Sequence, residues 1–429
     1  MRVSEPSLLD RQAARLRGHG QFIRQVMAYL GPGFIVTVGF IDPGNWATNV
    51  AAGADFGYQL LWVVTLATAI LILWQHMSAH LGVVTGKCLA EAVRSYTHPW
   101  ASPIYGVTAM AAICATALAE LLGAAIGFYA LFGIPIAAGA AIAAALSCGM
   151  IALQRYSTLE KVIVGFVGLI GLCYLAELHL IRPAPDWGAI AHHLVVPHLT
   201  PSSTLVAIAV LGAVVMPHNM YLHSEIIQNR NWKGRSDEET RRLLRFEFVD
   251  TFLAMLVGLA INAAMVIVAA SVFHSHGKHV SDLIQAEATL RPLAGNLASV
   301  LFGVGLLLAG ISSSMTAALA AGVTFTGYLG KETRVESNWF RLGMILTLGA
   351  AYLLILLVSD TFRALILSQV CLSIQLPLTM LPLLLLTASK RVMGKYANAW
   401  QENGIMILTG LAVLVLNVLL VLALVRGKA

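Results

Sequence analysis

Two short runs in this chain of 429 residues place ion-binding side chains beside proline. Asp42-Pro43-Gly44-Asn45 offers a carboxylate and an amide oxygen, and Met216-Pro217-His218 offers a thioether and an imidazole. Each run lies near the middle of a long apolar stretch, residues 28–54 and 203–229. Proline removes a backbone donor and glycine favours an unwound chain, so both stretches are expected to be interrupted helices with freed carbonyls. A bare carboxylate at bilayer depth is costly, which makes Asp42 a functional candidate. One carboxylate with neutral oxygens suits a small cation. A thioether adds affinity for transition metals and none for Mg²⁺ or Ca²⁺, which take oxygen ligands. Asp42, Asn45, Met216 and freed carbonyls together point to Mn²⁺, Fe²⁺ or a relative. His218 admits two readings, as a nitrogen ligand or as a group that accepts a proton during coupled transport. The second is favoured, because the metal already has enough candidate ligands.

These residues must be held by membrane-spanning elements. Hydrophobic residues make up 58% of the chain and charged residues 11%, where a soluble protein carries about 25% charged. Eleven stretches reach the roughly 20 apolar residues needed to cross a bilayer: 28–54, 58–83, 105–131, 134–154, 161–181, 203–229, 247–273, 294–327, 340–358, 363–388 and 404–425. The loops between them are too short for a soluble catalytic or sensory domain. The net charge of +6 is not a nucleic-acid signature, because it follows topology. Most of the 27 Lys and Arg residues fall in the amino-terminal tail and in the loops after even-numbered spans. The positive-inside rule then puts the amino terminus in the cytosol and, with an odd span count, the carboxyl terminus outside. Residues 1–27 lack the apolar core of a signal peptide and read as a cytosolic tail. Five cysteines (Cys88, Cys114, Cys148, Cys173, Cys371) show no CxxC spacing, which argues against a disulfide framework or a cysteine zinc site.

The two interrupted stretches open two blocks of five spans, residues 28–181 and 203–388, with 404–425 as an eleventh span. Either proline alone reads as an ordinary kink. A matched pair in corresponding positions points instead to an inverted-repeat transporter with its site at the midplane.

At these residues the sequence resembles the Nramp (MntH-type) family of divalent-metal transporters. Span 1 GPGFIVTVGFIDPGNWATN and span 6 VVMPHNMYLHS match the family's two signatures, with further matches in NAAMVIVAASVFH, LFGVGLLLAGISSS and LSQVCLSIQLP. The resemblance covers nearly the whole chain. It implies an all-α polytopic membrane protein with the LeuT-type fold, a 5+5 inverted repeat with unwound spans 1 and 6, here with an eleventh helix. It makes Asp42, Asn45 and Met216 metal ligands, joined in particular states by the carbonyls of Gly39 and Ala213 and by Gln369 in span 10. It places His218 and Glu120 on a proton route, with Arg230 at its cytosolic end. The implied activity is uptake of Mn²⁺ or Fe²⁺ across the plasma (inner) membrane, driven by protons and membrane potential. The metal is then substrate and not cofactor, and no enzymatic activity, nucleic acid or obligatory protein partner is expected.

The sequence also departs from the family. The acidic residue usual three positions before the span 3 glutamate is Ala117 here, which puts proton coupling in question. Glu225, seven residues after His218 and on the same helical face, is a candidate replacement. The alternative is that Glu225 pairs with Arg230 or rims the cytosolic vestibule. Phe340-Arg341 stands where the family often has paired arginines. Asn262 is expected to make a helix–helix hydrogen bond, and Glu247 and Asp250 to pair with the basic loop before span 7. That loop, NWKGRSDEETRRLLRFEF, is expected to form a short amphipathic helix along the inner surface. Histidines 192, 193, 198, 274, 276 and 279 in the outer loops read as solvated residues, or else as a metal-gathering cluster. The rival reading is a transporter of the same fold that moves a small organic substrate with a cation. Met216 and Asp42 argue against it, since an anionic substrate gains nothing from either.

Overall fold

In lipid every backbone N–H and C=O must be satisfied within the protein, and a helix does so within one segment. The computed structural model describes residues 42–153, 165, 168, 172, 176–179, 181, 184–200, 202–230, 236–280 and 283–425. Among these residues nine helices are long and apolar enough to cross a membrane. The helices that matter below are α1 (Pro43–Phe56), α2 (Leu61–Thr85), α3 (Leu89–Tyr96), α4 (Ala101–Phe132) and α5 (Ile136–Leu153). They are followed by α6 (Trp187–His193), α7 (Thr204–Val214), α8 (Pro217–Ile226), α9 (Asp237–Val272) and α10 (Leu283–Leu329). The last three are α11 (Asn338–Ile355), α12 (Thr361–Ala388) and α13 (Trp400–Val425). The tail 1–27, the first part of span 1 with Gly39, Cys173 and most of span 5 lie outside the described residues.

Burial separates an inner set of helices from a lipid-facing rim. The apolar window of α7–α8 is 89% buried within the protein, whereas that of α13 is 17% buried. A helix that faces lipid can remain apolar without packing, so the eleventh span sits at the periphery. Span 6 is divided as expected, α7 ending at Val214 and α8 starting at Pro217.

Inner helices approach closely because lipid gives them little hydrophobic reason to associate, and small residues let backbones touch. The α4–α10 pair is the most extensive contact in the fold. At its centre a Cβ added to Gly310 would stand 2.3 Å from the backbone nitrogen of Ala124. The expected bond of Asn262 is present, since Asn49 Nδ2 donates to Asn262 Oδ1 at 2.7 Å and joins α1 to α9.

Two expectations need correction. The loop before span 7 does not form a separate surface helix over its described part. Residues from Asp237 onward run without a break into the span as one helix of 36 residues. Ser236 starts it with a capping box, its Oγ accepting from the Glu239 N–H at 3.3 Å while the Glu239 carboxylate accepts from the Ser236 N–H at 3.0 Å. Lys395 and Tyr396 hold Asp237 from the other side. Second, the partner found for Glu247 among the described residues is His76 of α2, at 2.5 Å.

Gly310→Ala should lower the thermal unfolding midpoint in detergent, by an amount equivalent to about 1–3 kcal/mol of overpacking. Gly149→Ala on α5, where the added Cβ meets nothing within 4 Å, should leave the midpoint unchanged or slightly raised.

Candidate metal centre at two proline-headed helices

The residue before a proline is pushed out of the helical region into extended backbone. Asp42 obeys this rule at φ −83° and ψ 159°, and Met216 at φ −78° and ψ 123°. Each therefore sits as the cap of a helix whose first residue is proline, with its side chain released from the helix surface. Asp42 uses one oxygen to accept the Asn45 N–H at 2.5 Å. That bond fixes the carboxylate over the first turn of α1 and leaves Oδ2 without a hydrogen-bond partner among the described residues.

Two contacts bring candidate ligands together. Asn45 Nδ2 donates to the Ala213 carbonyl at 3.0 Å and ties the two interruptions to each other. Gln369 of α12 lies directly on the backbone at Gly44, where an added Cβ would stand 1.7 Å from its Nε2. Gln369 Nε2 donates to Ser368 Oγ at 3.1 Å, and its Oε1 has no partner among the described residues. Met216 follows Ala213 by three residues, and its Sδ accepts from Asn219 Nδ2 at 3.7 Å. Asp42, Asn45, Ala213, Met216 and Gln369 are all fully buried. A buried polar atom without a partner costs about 1–3 kcal/mol, and the uncommitted oxygens on Asp42 and Gln369, with the buried thioether of Met216 three residues after Ala213, are donor types suited to a dehydrated metal ion.

His218 and Glu120 lie on the span 3 side of this set. His218 Nδ1 is 3.5 Å from Thr116 Oγ1 on α4. Glu120, one turn further along α4, is fully buried with neither oxygen hydrogen-bonded among the described residues. The same α4 face then meets the span 1 interruption, since a Cβ on Gly123 would fall 2.0 Å from the Pro43 ring. Ala117 is packed in the core. Glu225 stands apart from His218, with its carboxylate accepting from Gln228 Nε2 at 3.1 Å. Its ligand atoms lie within 4.8 Å of those of Cys88 and Glu91, which are already committed to each other as the capping box of α3. Arg230 falls in the 3₁₀ turn after α8, and its side chain lies outside the described residues. Phe340 is buried against Gly322, so the first member of that pair is a packing residue.

Sequence reasoning missed Asn219, which holds the thioether, and Thr116, which faces the imidazole. Asn219 carried a signal, standing one helical turn after Met216. Thr116 carried none. The outer histidines are partly structural: His274 meets the Ala54 carbonyl at 3.1 Å and His279 pairs with Asp55 at 2.8 Å. In α6, burial and the neighbours His192 and His198 push the His193 imidazole below its ordinary pKa.

A bundle of apolar spans in which span 6 is divided at a buried polar site, facing the proline-headed start of α1, has the architecture of a multi-pass membrane transporter of the LeuT type. The likeness extends to Mhp1, a nucleobase-cation-symport-1 family transporter in a closed conformation, at TM-score 0.64 and 15% identity over 93% of each chain. The family model described as natural resistance-associated macrophage protein-like (Nramp) matches residues 33–423, and the chain belongs to that family. Among its relatives, the divalent metal cation transporter MntH of Burkholderia ambifaria is 42% identical over 389 residues, 90% of this chain and 86% of that one. The MntH of Nostoc sp. is 38% identical over 433 residues, 98% of this chain and 96% of that one. A manganese transporter of Eremococcus coleocola, solved with an aromatic bis-isothiourea compound, superimposes at TM-score 0.79 with 27% identity, covering 98% and 88% of the two chains.

Gly44→Ala should destabilise the protein by driving its new methyl group into Gln369. The double variant Gly44→Ala/Gln369→Ala should recover part of the loss, with a coupling of about 0.5–3 kcal/mol in a thermal-unfolding cycle. Additive losses would show that the two residues do not touch.

Proposed function

We propose that this protein imports divalent transition-metal ions, Mn²⁺ or Fe²⁺, by alternating access at a midplane site formed by Asp42, Asn45, Met216, Ala213 and Gln369. The observation that carries this reading is the pairing of a buried carboxylate with a buried thioether, each on the residue before a proline. The Asn45–Ala213 hydrogen bond joins α1 to the end of α7, three residues before the thioether. The carboxylate and oxygens supply affinity for a small cation, and the sulfur discriminates against Ca²⁺ and Mg²⁺. Gly39 contributes a further carbonyl in this proposal. The two five-span repeats are residues 28–181 and 203–388, followed by the helix at 404–425. The amino terminus is cytosolic, the carboxyl terminus lies outside, and the protein resides in the plasma (inner) membrane.

Driving force is adequate on magnitude. A divalent ion crossing 100 mV gains roughly 4.6 kcal/mol, twice the single-charge value. Protons add to this through His218, whose Nε2 has no partner among the described residues, and Glu120, whose two oxygens have none, with Arg230 at the cytosolic end. Glu225 joins this route only if it communicates with Glu120 in another conformation, because here it sits with Cys88 and Glu91.

In proteoliposomes with a negative-inside potential, Mn²⁺ uptake should resist excess Ca²⁺ and Mg²⁺, and Met216→Ala should lose that resistance. Absence of uptake by folded protein would favour an organic substrate. Glu120→Gln should reduce metal-evoked proton flux by at least about tenfold, given the 10²–10⁴-fold usual for a positioned proton carrier. Glu225→Gln should leave that flux unchanged if Glu225 is only a vestibule residue, and a comparable loss would place it on the route.

A further inference from the structure

We propose that the protein carries a second cation site, formed by the Cys88 thiolate with the Glu91 and Glu225 carboxylates where the start of α3 meets the end of α8. It takes Zn²⁺, Co²⁺ or Cd²⁺ in preference to Ca²⁺ or Mg²⁺. The site shares no residue with the midplane set, and its existence does not depend on the transport reading.

The Cys88 sulfur and one oxygen of each carboxylate all lie within 4.8 Å of one another. A single ion can therefore stand within about 2.8 Å of all three, near the roughly 2.0–2.3 Å of thiolate and carboxylate bonds to such metals. Two separate elements build that convergence. Cys88 caps α3, and the next N–H, of Leu89, donates to Ser224 Oγ at 2.9 Å, which docks the helix start beside Glu225 of α8. On another side α10 closes in, since a Cβ on Gly327 would stand 3.1 Å from Cys88 Sγ. Both carboxylates are held from outside the cluster. Thr333 Oγ1 donates to Glu91 Oε1 at 3.1 Å, and Gln228 Nε2 donates to Glu225 Oε2 at 3.1 Å.

The thiol distinguishes this cluster from a group of acids. Cys88 is fully buried, and the capping box uses its sulfur only as an acceptor, of the Glu91 N–H at 3.5 Å. Its S–H donates to no acceptor among the described residues, whereas the Cys114 thiol reaches the Thr347 carbonyl at 4.0 Å. A capping role alone is met by serine. Among the described residues no Lys, Arg or His side chain pairs with Glu91 or Glu225. Burial and then these two carboxylates push the Cys88 thiol above its ordinary pKa. A divalent cation between the three reverses that repulsion. The metal–sulfur bond forms as the S–H bond breaks, and the thiol proton leaves to water. Sulfur with two carboxylates suits borderline and soft metals, whereas Ca²⁺ and Mg²⁺ take oxygen alone. Glu91 and Glu225 are partly exposed, which gives the ion a way in and the proton a way out. Ligation ties α3 to α8, the helix headed by Met216, and so restrains the element that bears the thioether.

The test is Co²⁺ titration of the full-length protein in nanodiscs against excess Ca²⁺, read by thiolate-to-cobalt charge-transfer absorption, which thioethers and carboxylates do not give. Wild type and Asp42→Asn should both show the band. Cys88→Ser, which keeps a helix cap, should abolish it. Glu225→Gln, which leaves the capping box intact, should weaken the Co²⁺ affinity read by the band at least about tenfold. A variant with Cys114, Cys148, Cys173 and Cys371 all changed to Ala should retain the band. No band in folded wild type, a band that survives Cys88→Ser or is lost with the other four cysteines, or an affinity unchanged in Glu225→Gln would overturn the site. None of these outcomes bears on the midplane reading, which stands or falls on Mn²⁺ uptake.

Discussion

A residue that precedes proline is biased away from helical backbone, and inside a membrane a non-helical residue must find partners within the protein. Asp42 and Met216 both stand in that position, with extended backbone and a proline-headed helix behind them. The rest of the site is a response to these two steps. Asp42 satisfies the first turn of α1 through the Asn45 N–H, and Asn45 in turn satisfies the Ala213 carbonyl across the bundle. The Val215 N–H still reaches back to the Leu211 carbonyl at 3.0 Å, so only a minimal length of backbone is taken out of the ladder. The interruption is thereby narrow, and the atoms it frees are few and placed.

Close packing makes those positions rigid. Gly123 brings α4 against the Pro43 ring, and Gly44 lets Gln369 of α12 lie on the span 1 interruption. A side chain at Gly123 would press on the Pro43 ring, and one at Gly44 would displace the Gln369 side chain from its place over α1. Small residues here set the distance between helices that together provide carboxylate, amide and thioether. A metal site needs this fixed spacing, since ligands misplaced by about an ångström lose the geometry that distinguishes one cation from another.

Much of this was legible in the sequence, for reasons particular to certain residues. The interruptions could be read because proline acts locally and its neighbours carried ion-binding groups. Asn262 could be read because an isolated amide in a span must be paired. The helix before span 7 was misjudged because hydropathy marks the membrane boundary, and a helix capped by Ser236 does not stop there. The partner of Glu247 was hidden for another reason. Six basic residues stand near it in sequence, but His76, 171 positions away, is the group that packs against it. Local charge patterns describe what is available, and only the fold decides which group is desolvated beside which. Glu225 makes the same point, since its helical phase matched His218 while its neighbours proved to be Cys88 and Glu91.

Where buried polar atoms lack partners is itself informative. A folded chain normally pairs such atoms, and this one does so along its packing interfaces, where Ser147 meets Ser314 at 2.8 Å and Ser373 meets Asn417 at 2.6 Å. Among the described residues, atoms without partners are found on Asp42 and Gln369 at the candidate site, on Glu120 and His218 on the span 3 side and on Asn219, His223 and His80 of α8 and α2, and also away from the site on Glu177, His193, Gln375 and Asn398. On the span 3 side the carboxyl of Glu120 and the imidazole of His218 are groups that exchange protons, and at the starts of α1 and α8 the carboxylate of Asp42 and the thioether of Met216 are groups that ligate metals. Both sets share one low-dielectric core, where a charge on one side alters the energy of a charge on the other. Under the proposed function, metal and proton can then influence each other through that field, without a shared ligand.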